Sequence, residues 1–290
     1  MTDSRAGASG PTALVLAGGG SLGAIQVGML AELAAAGLRP DMVVGVSAGA
    51  INGAFFAHAP DAGTVTQLGD LWIRVTTRQA LGLSWRSLLG LVGLRDHVAS
   101  PDGVRSLLER HLPYRAFEET AIPLHIVCAD LVTGDEVVLS RGPVIEAVLA
   151  STAIPGVFPP VSIAGRMLID GVVAAGTPIA AAKRLGAARV IVLPCGFACA
   201  AKAVSRRALG RAMHAITLLG ARQLRQDYER YRESMAIHVV PPLCPLRQSS
   251  YDYSQGAALI ARARASTRQW LDGGGLGRCE FPQQLTVHSH

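Results

Sequence analysis

The amino-acid sequence predicts an α/β fold of three layers, with helices on both faces of a mainly parallel sheet. Two observations support this prediction. From residue 12 onwards, short apolar runs alternate with helical segments, and runs that are apolar throughout are typical of strands buried on both faces. In addition, half of the 290 residues are hydrophobic and only 17% are charged, so the chain has enough apolar side chains for a large core.

The first elements follow one another as strand, helix, strand and helix. Residues 12–17 form an apolar run that ends in glycines, which predicts a buried strand. Residues 24–36 have helical spacing and are followed by a glycine that can cap the helix. Residues 42–45 predict the second strand, and residues 48–59, which precede a proline, predict the second helix.

The rest of the chain continues the same alternation, after a less orderly helical region at 64–115. Further strands are predicted at 124–129, 136–139, 166–169, 190–193 and 237–240, and helices at 143–151, 178–185, 204–232 and 254–270. A hairpin turn is predicted at 133–135. Because no repeat or linker divides the chain, we expect one domain over 12–272 between a flexible N-terminal tail at 1–11 and a C-terminal tail at 273–290.

The net charge of +6 is distributed unevenly. Residues 201–270 contain 12 Lys and Arg against 4 Asp and Glu, a net charge of +8, whereas residues 1–200 are close to neutral. A local basic segment of this kind suits an anionic lipid surface or nucleic acid. The arginines of the predicted helix at 204–232 lie opposite its apolar face, so a solvated basic face is the alternative interpretation.

No run of residues predicts a membrane-spanning helix. The most apolar region, residues 12–38, is interrupted by three consecutive glycines after only a few residues. The first 11 residues do not resemble a signal peptide, because they contain Asp3 as well as Arg5 and no clear cleavage site follows. Five irregularly spaced cysteines predict neither a zinc site nor a disulfide framework. We therefore expect a cytoplasmic protein.

A glycine-rich turn follows the first predicted strand. Residues 18–23 (GGGSLG) fit G-x-G-x-x-G, the pattern of a dinucleotide-binding turn. That fold also places an acidic residue at the end of the second strand, and here the second strand ends in Gly45, Val46 and Ser47. The nicotinamide-dinucleotide interpretation thus lacks its second requirement. Backbone N–H groups exposed at the start of a helix suit an oxyanion equally well.

A second motif lies between the second strand and the second helix. Residues 45–49 (GVSAG) fit G-x-S-x-G, in which a tight turn exposes the hydroxyl of the serine, here Ser47. Gly45 and Gly49 would leave room for the neighbouring backbone. A serine nucleophile needs a base, yet none of the eight histidines has a sequence context that marks it as that base. A serine that only caps the helix is the alternative, and it would not explain both glycines.

A third motif, Asp170-Gly171, follows the strand predicted at 166–169. Together with residues 18–23, 45–49 and 150–160 (ASTAIPGVFPP), this motif resembles the patatin-like phospholipase family. The resemblance extends over about residues 12–195, with the four motifs in the family's order. Two positions depart from the family pattern: Leu22 stands where Arg or Lys is common, and Val172 stands where Gly or Ala often follows the Asp-Gly pair.

The resemblance implies a hydrolase with a Ser-Asp dyad and no metal or cofactor. Ser47 would be the nucleophile and Asp170 the general base, and the backbone amides of Gly18, Gly19 and Gly20 would form the oxyanion hole. A free Asp, with a pKa of about 3.9, is a poor base at neutral pH, so we expect burial to raise the pKa of Asp170. The implied substrate is a lipid acyl ester, such as a phospholipid, a lysophospholipid or a simpler ester.

Two further features fit a lipid substrate. The apolar segment 81–94 could be a lid, a membrane contact or part of the core, and the basic helix at 204–232 could attract anionic head groups. We therefore expect a lipid ester substrate, peripheral contact with an anionic membrane and no nucleic-acid partner. Two other functions stay open: a nicotinamide-dinucleotide-binding oxidoreductase that uses residues 18–23, and a non-catalytic module that binds anionic membranes.

Overall fold

A computed structural model describes residues 10–80, 99–196, 208–246 and 248–285, and its strands form one mixed sheet. Each predicted strand is present, with its ends within one residue of the expected positions. The strands are β1 (Thr12–Leu16), β2 (Met42–Val46), β3 (Leu124–Asp130), β4 (Glu136–Leu139), β5 (Val161–Ile163), β6 (Arg166–Asp170), β7 (Arg189–Leu193) and β8 (Ala236–Val239).

Helices cover both faces of the sheet, which confirms the predicted three layers. The described helices are α1 (Gly23–Ala35), α2 (Ala48–His58), α3 (Ala62–Arg74), α4 (Thr77–Ala80), α5 (Asp102–His111), α6 (Val144–Ser151), α7 (Ile179–Arg184), α8 (Ala208–Tyr231) and α9 (Gly256–Asp272). Strand β1 shows how the layers share the sheet. Leu14 and Leu16 belong to the core beneath α1 and α2, whereas Ala13 and Val15 belong to the core beneath α7 and α8. Alternate side chains of a fully buried strand thus stabilise both interfaces.

The strand order is β5-β6-β3-β2-β1-β7-β8, with β4 also paired to β3. The strands β3, β2, β1, β7 and β8 run parallel to one another, so their carboxyl ends lie at one edge, here named the carboxyl edge. β4 and β6 run antiparallel to β3, and β5 runs antiparallel to β6. The antiparallel orientation of β4 confirms the predicted hairpin turn.

Strand β5 has no counterpart in the sequence prediction. It joins β6 through a two-residue turn in which both Ala164 and Gly165 have positive φ, +51° and +77°. Such a turn matches the twist of a hairpin, but its usual sequence signal is Asn-Gly or Asp-Gly. An Ala at the first position is uncommon there, so this hairpin was not apparent from the sequence.

Part of the segment predicted as a C-terminal tail, residues 273–285, is described by the structure. Residues after α9 pack against α8: the rings of Phe281 and Tyr228 lie 4.9 Å apart, and the Tyr228 hydroxyl donates to the carbonyl of Cys279. The described part of 273–290 is therefore attached to the domain.

None of the helices in the described ranges is long and apolar enough to cross a membrane. The predicted features at 1–9, 81–94, 204–207 and 286–290 lie outside the described residues.

Candidate active site

Ser47 occupies a strained turn between β2 and α2. Its backbone has φ +54° and ψ −121°, although it is neither glycine nor asparagine. A conformation of this kind costs about 1–3 kcal/mol and persists only where the surrounding structure imposes it. The turn carries the chain directly from the carboxyl end of a central strand into a helix, which is the geometry that the predicted nucleophile elbow requires.

The two glycines of this elbow are required by close backbone contacts. A Cβ atom on Gly45 would lie 2.4 Å from the carbonyl oxygen of Gly49, and one on Gly49 would lie 2.2 Å from the carbonyl oxygen of Leu16. Both distances are far below any normal carbon–oxygen contact. The start of α2 therefore packs directly on the backbones of β1 and β2, which holds Ser47 in its strained conformation.

A buried serine supports the elbow from the other side. The N–H of Ser47 donates to Oγ of Ser151 at 2.8 Å, and the Ser151 hydroxyl donates to the carbonyl of Val127 at 2.6 Å. This relay joins the elbow to α6 and β3. In the sequence, Ser151 stands out only as part of segment 150–160, because its partners are distant along the chain.

Asp170 lies beside the serine hydroxyl. Ser47 Oγ donates to Asp170 Oδ2 at 2.7 Å, and the N–H of Val172 donates to Oδ1 at 2.9 Å. The carboxyl group is buried, and none of the ion pairs formed by the described residues includes it. Burial raises the pKa of Asp170 to about 7, although the hydrogen bonds from Val172 and Ser47 oppose that change. The expected rise in its pKa is thus present.

The two side chains meet because β2 and β6 share one edge of β3. Val46, at the end of β2, pairs with Val127, and Asp170, at the end of β6, pairs with Cys128. β4 pairs with both Val127 and Cys128, so it occupies the opposite edge of β3. β2 and β6 consequently approach each other end to end. Asp170 lies at the end of the strand predicted at 166–169, but this strand is antiparallel to β3 and reaches the site from the opposite direction.

The glycine-rich turn after β1 lies in the same cleft. Gly18, Gly19 and Gly20 line it together with Ser47 and Asp170. The N–H groups of Gly19 and Gly20 have no hydrogen-bond partner in the part of the chain that the structure describes. Gly18 differs from the expectation, because its single N–H already donates to the carbonyl of Gly176 at 3.1 Å. Two of the three predicted oxyanion donors thus have unengaged amides.

Comparison with known proteins identifies the family of this chain. The family model described as patatin-like phospholipase matches residues 14–183, which is more than half of the chain. The chain belongs to the patatin-like phospholipase family. The expected fold is therefore confirmed, and members of this family are lipid ester hydrolases.

Several curated proteins resemble the chain over the same region. An uncharacterized NTE family protein of Mycobacterium bovis is 36% identical over 169 residues, which cover 54% of this chain and 26% of that protein. Neuropathy target esterase sws of Drosophila melanogaster is 30% identical over 185 residues, 63% of this chain and 13% of that protein. The chain thus matches about a quarter or less of these relatives' lengths. Among solved structures, VipD of Legionella pneumophila has a TM-score of 0.47 at 14% identity, covering 91% of this chain and 67% of VipD.

The two departures from the patatin-like pattern have different structural consequences. Leu22 is buried in the apolar core with Ile25, so no charged side chain faces the cleft at this point of the turn. At Val172 the contact with Asp170 comes from the backbone N–H, which any residue other than proline supplies. The Val172 side chain packs against Gly18, where an added Cβ would lie 2.4 Å away.

Residues beyond the patatin-like match complete the cleft. Ile216 and Gly220 of α8 and Tyr251 line it together with Ile154 and Val173, which lie within the match. No histidine is among the described lining residues. Gln223 links α8 to the segment that follows Asp170. Its side chain accepts from the N–H of Gly176 and donates to the carbonyl of Ala174, both at 2.9 Å. The sequence offered no signal for this contact.

Proposed function

We propose that the chain is a serine lipid acyl hydrolase in which Ser47 and Asp170 form the catalytic dyad. The observation that supports it most directly is the 2.7 Å hydrogen bond from Ser47 Oγ to a buried carboxyl group, at a serine held in a strained elbow. A carboxyl group with a pKa near 7 is suited to proton transfer at neutral pH. Membership of the patatin-like phospholipase family supports the same chemistry.

In the first half-reaction, Ser47 Oγ attacks the ester carbonyl carbon while the carboxylate of Asp170 accepts the hydroxyl proton. Negative charge then develops on the former carbonyl oxygen. The N–H groups of Gly19 and Gly20 are the donors available to that oxyanion, and one such donor typically contributes about 3–4 kcal/mol to transition-state stabilisation. When the tetrahedral intermediate collapses, protonated Asp170 donates its proton to the leaving alcohol, and the acyl group stays on Ser47.

The second half-reaction uses the same groups with water in place of serine. The Asp170 carboxylate accepts a proton from a water molecule as its oxygen attacks the acyl-enzyme. The resulting intermediate expels Ser47 Oγ, which takes the proton back from Asp170. A carboxylic acid is released and the free dyad is restored. Each proton removed by Asp170 is thus returned within the same half-reaction.

The cleft lining favours an acyl ester with an apolar chain. Ile154, Val173 and Ile216 present hydrocarbon surface within the cleft that contains Ser47. Burying an acyl chain against such walls stabilises the complex by roughly 0.8 kcal/mol per methylene group. The proposed substrate class is therefore a lipid acyl ester. Peripheral contact with an anionic membrane forms part of the proposal, because such substrates reside in lipid aggregates.

A fluorophosphonate probe tests the nucleophile. We expect the wild-type chain to be labelled and to hydrolyse p-nitrophenyl acyl esters, and Ser47→Ala to lose both properties. Ser162→Ala, which changes an exposed serine on β5, is the matched control and should behave as wild type. Labelling of Ser47→Ala at the wild-type rate would overturn the assignment. A wild-type chain that is inert towards both the probe and an ester panel would favour the non-catalytic membrane-binding alternative.

A further inference from the structure

The exposed apolar side chains gather at one side of the molecule. Among the described residues, seven large hydrophobic side chains are exposed: Ile73, Leu131, Val132, Met167, Val173, Leu218 and Leu219. Six of the seven, all except Ile73, belong to elements at the carboxyl edge or around the cleft. Isolated exposed hydrophobic residues are ordinary, whereas a group that surrounds a site indicates a contact surface.

The first part of this surface is the turn between β3 and β4. Leu131 and Val132 follow the carboxyl end of β3, and the Val132 side chain is 85% exposed. The turn is held firmly in place. Asp130 Oδ1 accepts the N–H groups of Val132 and Thr133, and Oδ2 accepts a hydrogen bond from Arg166 at 2.7 Å. Two adjacent apolar side chains are thus presented to solvent by a well-anchored turn.

The second part is the outer face of α8. Leu218 and Leu219 are 50% and 65% exposed, while the flanking residues Thr217 and Gly220 line the cleft. One turn of this helix therefore has one side in the candidate active site and the other in solvent. The two leucines are thus exposed on the same turn of α8 that contributes to the cleft lining.

The charged side chains next to these leucines are positive. Arg222 and Arg225 are exposed and lie four and seven residues after Leu218, on the same face of the helix. No Asp or Glu occurs in the helix before Asp227. Positive charge beside exposed leucines is complementary to a surface with anionic head groups over hydrocarbon.

The arginines elsewhere in the basic segment have other contacts. Arg264 and Arg268 of α9 both pair with the buried carboxylate of Glu32, at 2.8 and 2.9 Å. Arg232 pairs with Glu229. Among the described residues of this segment, the positive charge is therefore divided between these ion pairs and the exposed face of α8 that carries Arg222 and Arg225.

We propose that the β3–β4 turn and the outer face of α8 dock on a lipid bilayer that contains anionic lipids. The hydrocarbon of Val132, Leu218 and Leu219 enters the interface, and Arg222 and Arg225 contact the head groups. Docking in this orientation holds the helix that lines the cleft against the membrane that contains the lipid substrate. A catalytic role for this docking rests on the proposed function, whereas membrane binding by itself does not.

Flotation of the full chain with phosphatidylcholine vesicles, with and without 30% phosphatidylglycerol, tests the proposal. We expect Arg222→Glu combined with Arg225→Glu to lower the partition coefficient on anionic vesicles by at least about tenfold. We expect Leu218→Ser combined with Leu219→Ser, and separately Val132→Ser, to lower it by several-fold. Arg39→Glu is the matched control, because Arg39 is exposed near the opposite edge of the sheet and should leave partition unchanged.

Hydrolysis of a water-soluble short-chain ester, measured without vesicles, shows whether each variant retains its fold and site. We expect the docking variants and Arg39→Glu to match wild type in that assay, and Ser47→Ala to bind vesicles as wild type does. Wild-type partition by the active docking variants, or equal wild-type partition with and without phosphatidylglycerol, would overturn the proposed surface. Vesicle binding by a chain that hydrolyses no ester would instead overturn the proposed function while leaving the surface supported.

Discussion

The two halves of the candidate dyad are held in place by different means. Ser47 is positioned mainly by local sterics, because Gly45 and Gly49 allow the elbow to pack directly on neighbouring backbone. Asp170 is positioned by strand pairing between residues far apart along the chain, and its own N–H donates to the carbonyl of Ala153. A five-residue motif is therefore enough to indicate the candidate nucleophile, whereas the location of the candidate base depends on the antiparallel part of the sheet.

Ser47 and Asp170 also differ in how their buried polar groups are satisfied. The strained Ser47 backbone has a dedicated hydrogen-bond acceptor in Ser151. Asp170 has two hydrogen bonds but no ion pair with any residue of the described ranges, and burial raises its pKa to about 7. The proposed base is thus a group whose charged form is destabilised by burial, which is typical of active sites. Five predictions test this contrast.

The largest expected effect is on catalysis. Asp170→Asn preserves the shape of the side chain but cannot accept the Ser47 proton, so we expect kcat for an acyl ester to fall at least about 10³-fold. Asp130→Asn is the matched control, because Asp130 ends β3 and pairs with Arg166 rather than Ser47. It should change kcat by only a few-fold. Full activity in Asp170→Asn would contradict the dyad.

The second effect is on the steric half of the site. Gly49→Ala places a methyl group against the Leu16 carbonyl, so we expect the free energy of unfolding in urea to fall by about 3 kcal/mol or more. Gly69→Ala is the control. Gly69 lies in α3, where an added Cβ would lie 3.7 Å from the Val27 side chain, an ordinary contact. The Gly69→Ala variant should therefore be as stable as wild type or more stable by about 0.5–1 kcal/mol. Equal stability of the two variants would contradict the close packing of the elbow.

The third effect is the pH dependence of activity. Only the ionised form of Asp170 accepts a proton, and its pKa is raised to about 7 by burial. We therefore expect kcat/KM for a neutral, non-ionisable ester to rise with pH and to reach half its maximum near pH 7. A profile that is flat from pH 5 to pH 9 would contradict this assignment.

The same group should be visible in stability. Because folding raises the pKa of Asp170 from 3.8, its protonation stabilises the fold fully below pH 3.8, and this contribution is lost as the pH rises through about 7. Asp170→Asn removes that dependence. From pH 5 to pH 8, the unfolding free energy of the variant should gain about 2–3 kcal/mol relative to wild type. Parallel pH profiles for the two proteins would contradict the raised pKa.

The smallest effect concerns the link between the two halves. Ser151→Ala leaves the buried Ser47 N–H without its acceptor, so we expect the free energy of unfolding to fall by about 1–2 kcal/mol. We also expect a roughly tenfold lower kcat with KM nearly unchanged, because the elbow loses its anchor to β3. Ser162→Ala, at an exposed position, should leave both quantities unchanged. An unaltered kcat in Ser151→Ala would show that local sterics alone position Ser47.

Much of the site was accessible from the sequence because its signals are local. The glycine-rich turn, the elbow at Ser47 and the Asp-Gly pair each lie at the end of a strand that the apolar pattern identifies. The contacts of Ser151 and Gln223 were not accessible. Ser151 contacts Ser47 and Val127, 104 and 24 positions away, and Gln223 contacts residues 47 and 49 positions away. Nothing in a short stretch of sequence specifies such pairings.

The sequence by itself determined the alternation of strands and helices, the strained serine turn and the family to which the chain belongs, because these follow from residue types at fixed short spacings. Only the tertiary structure decided that β6 runs antiparallel and that the Gly18 N–H donates to Gly176. It also decided that some described arginines of the basic segment pair with Glu32 while others are exposed on α8. Strand direction, hydrogen-bond partners and charge pairing depend on which distant surfaces pack together, so they are set by burial over the whole chain.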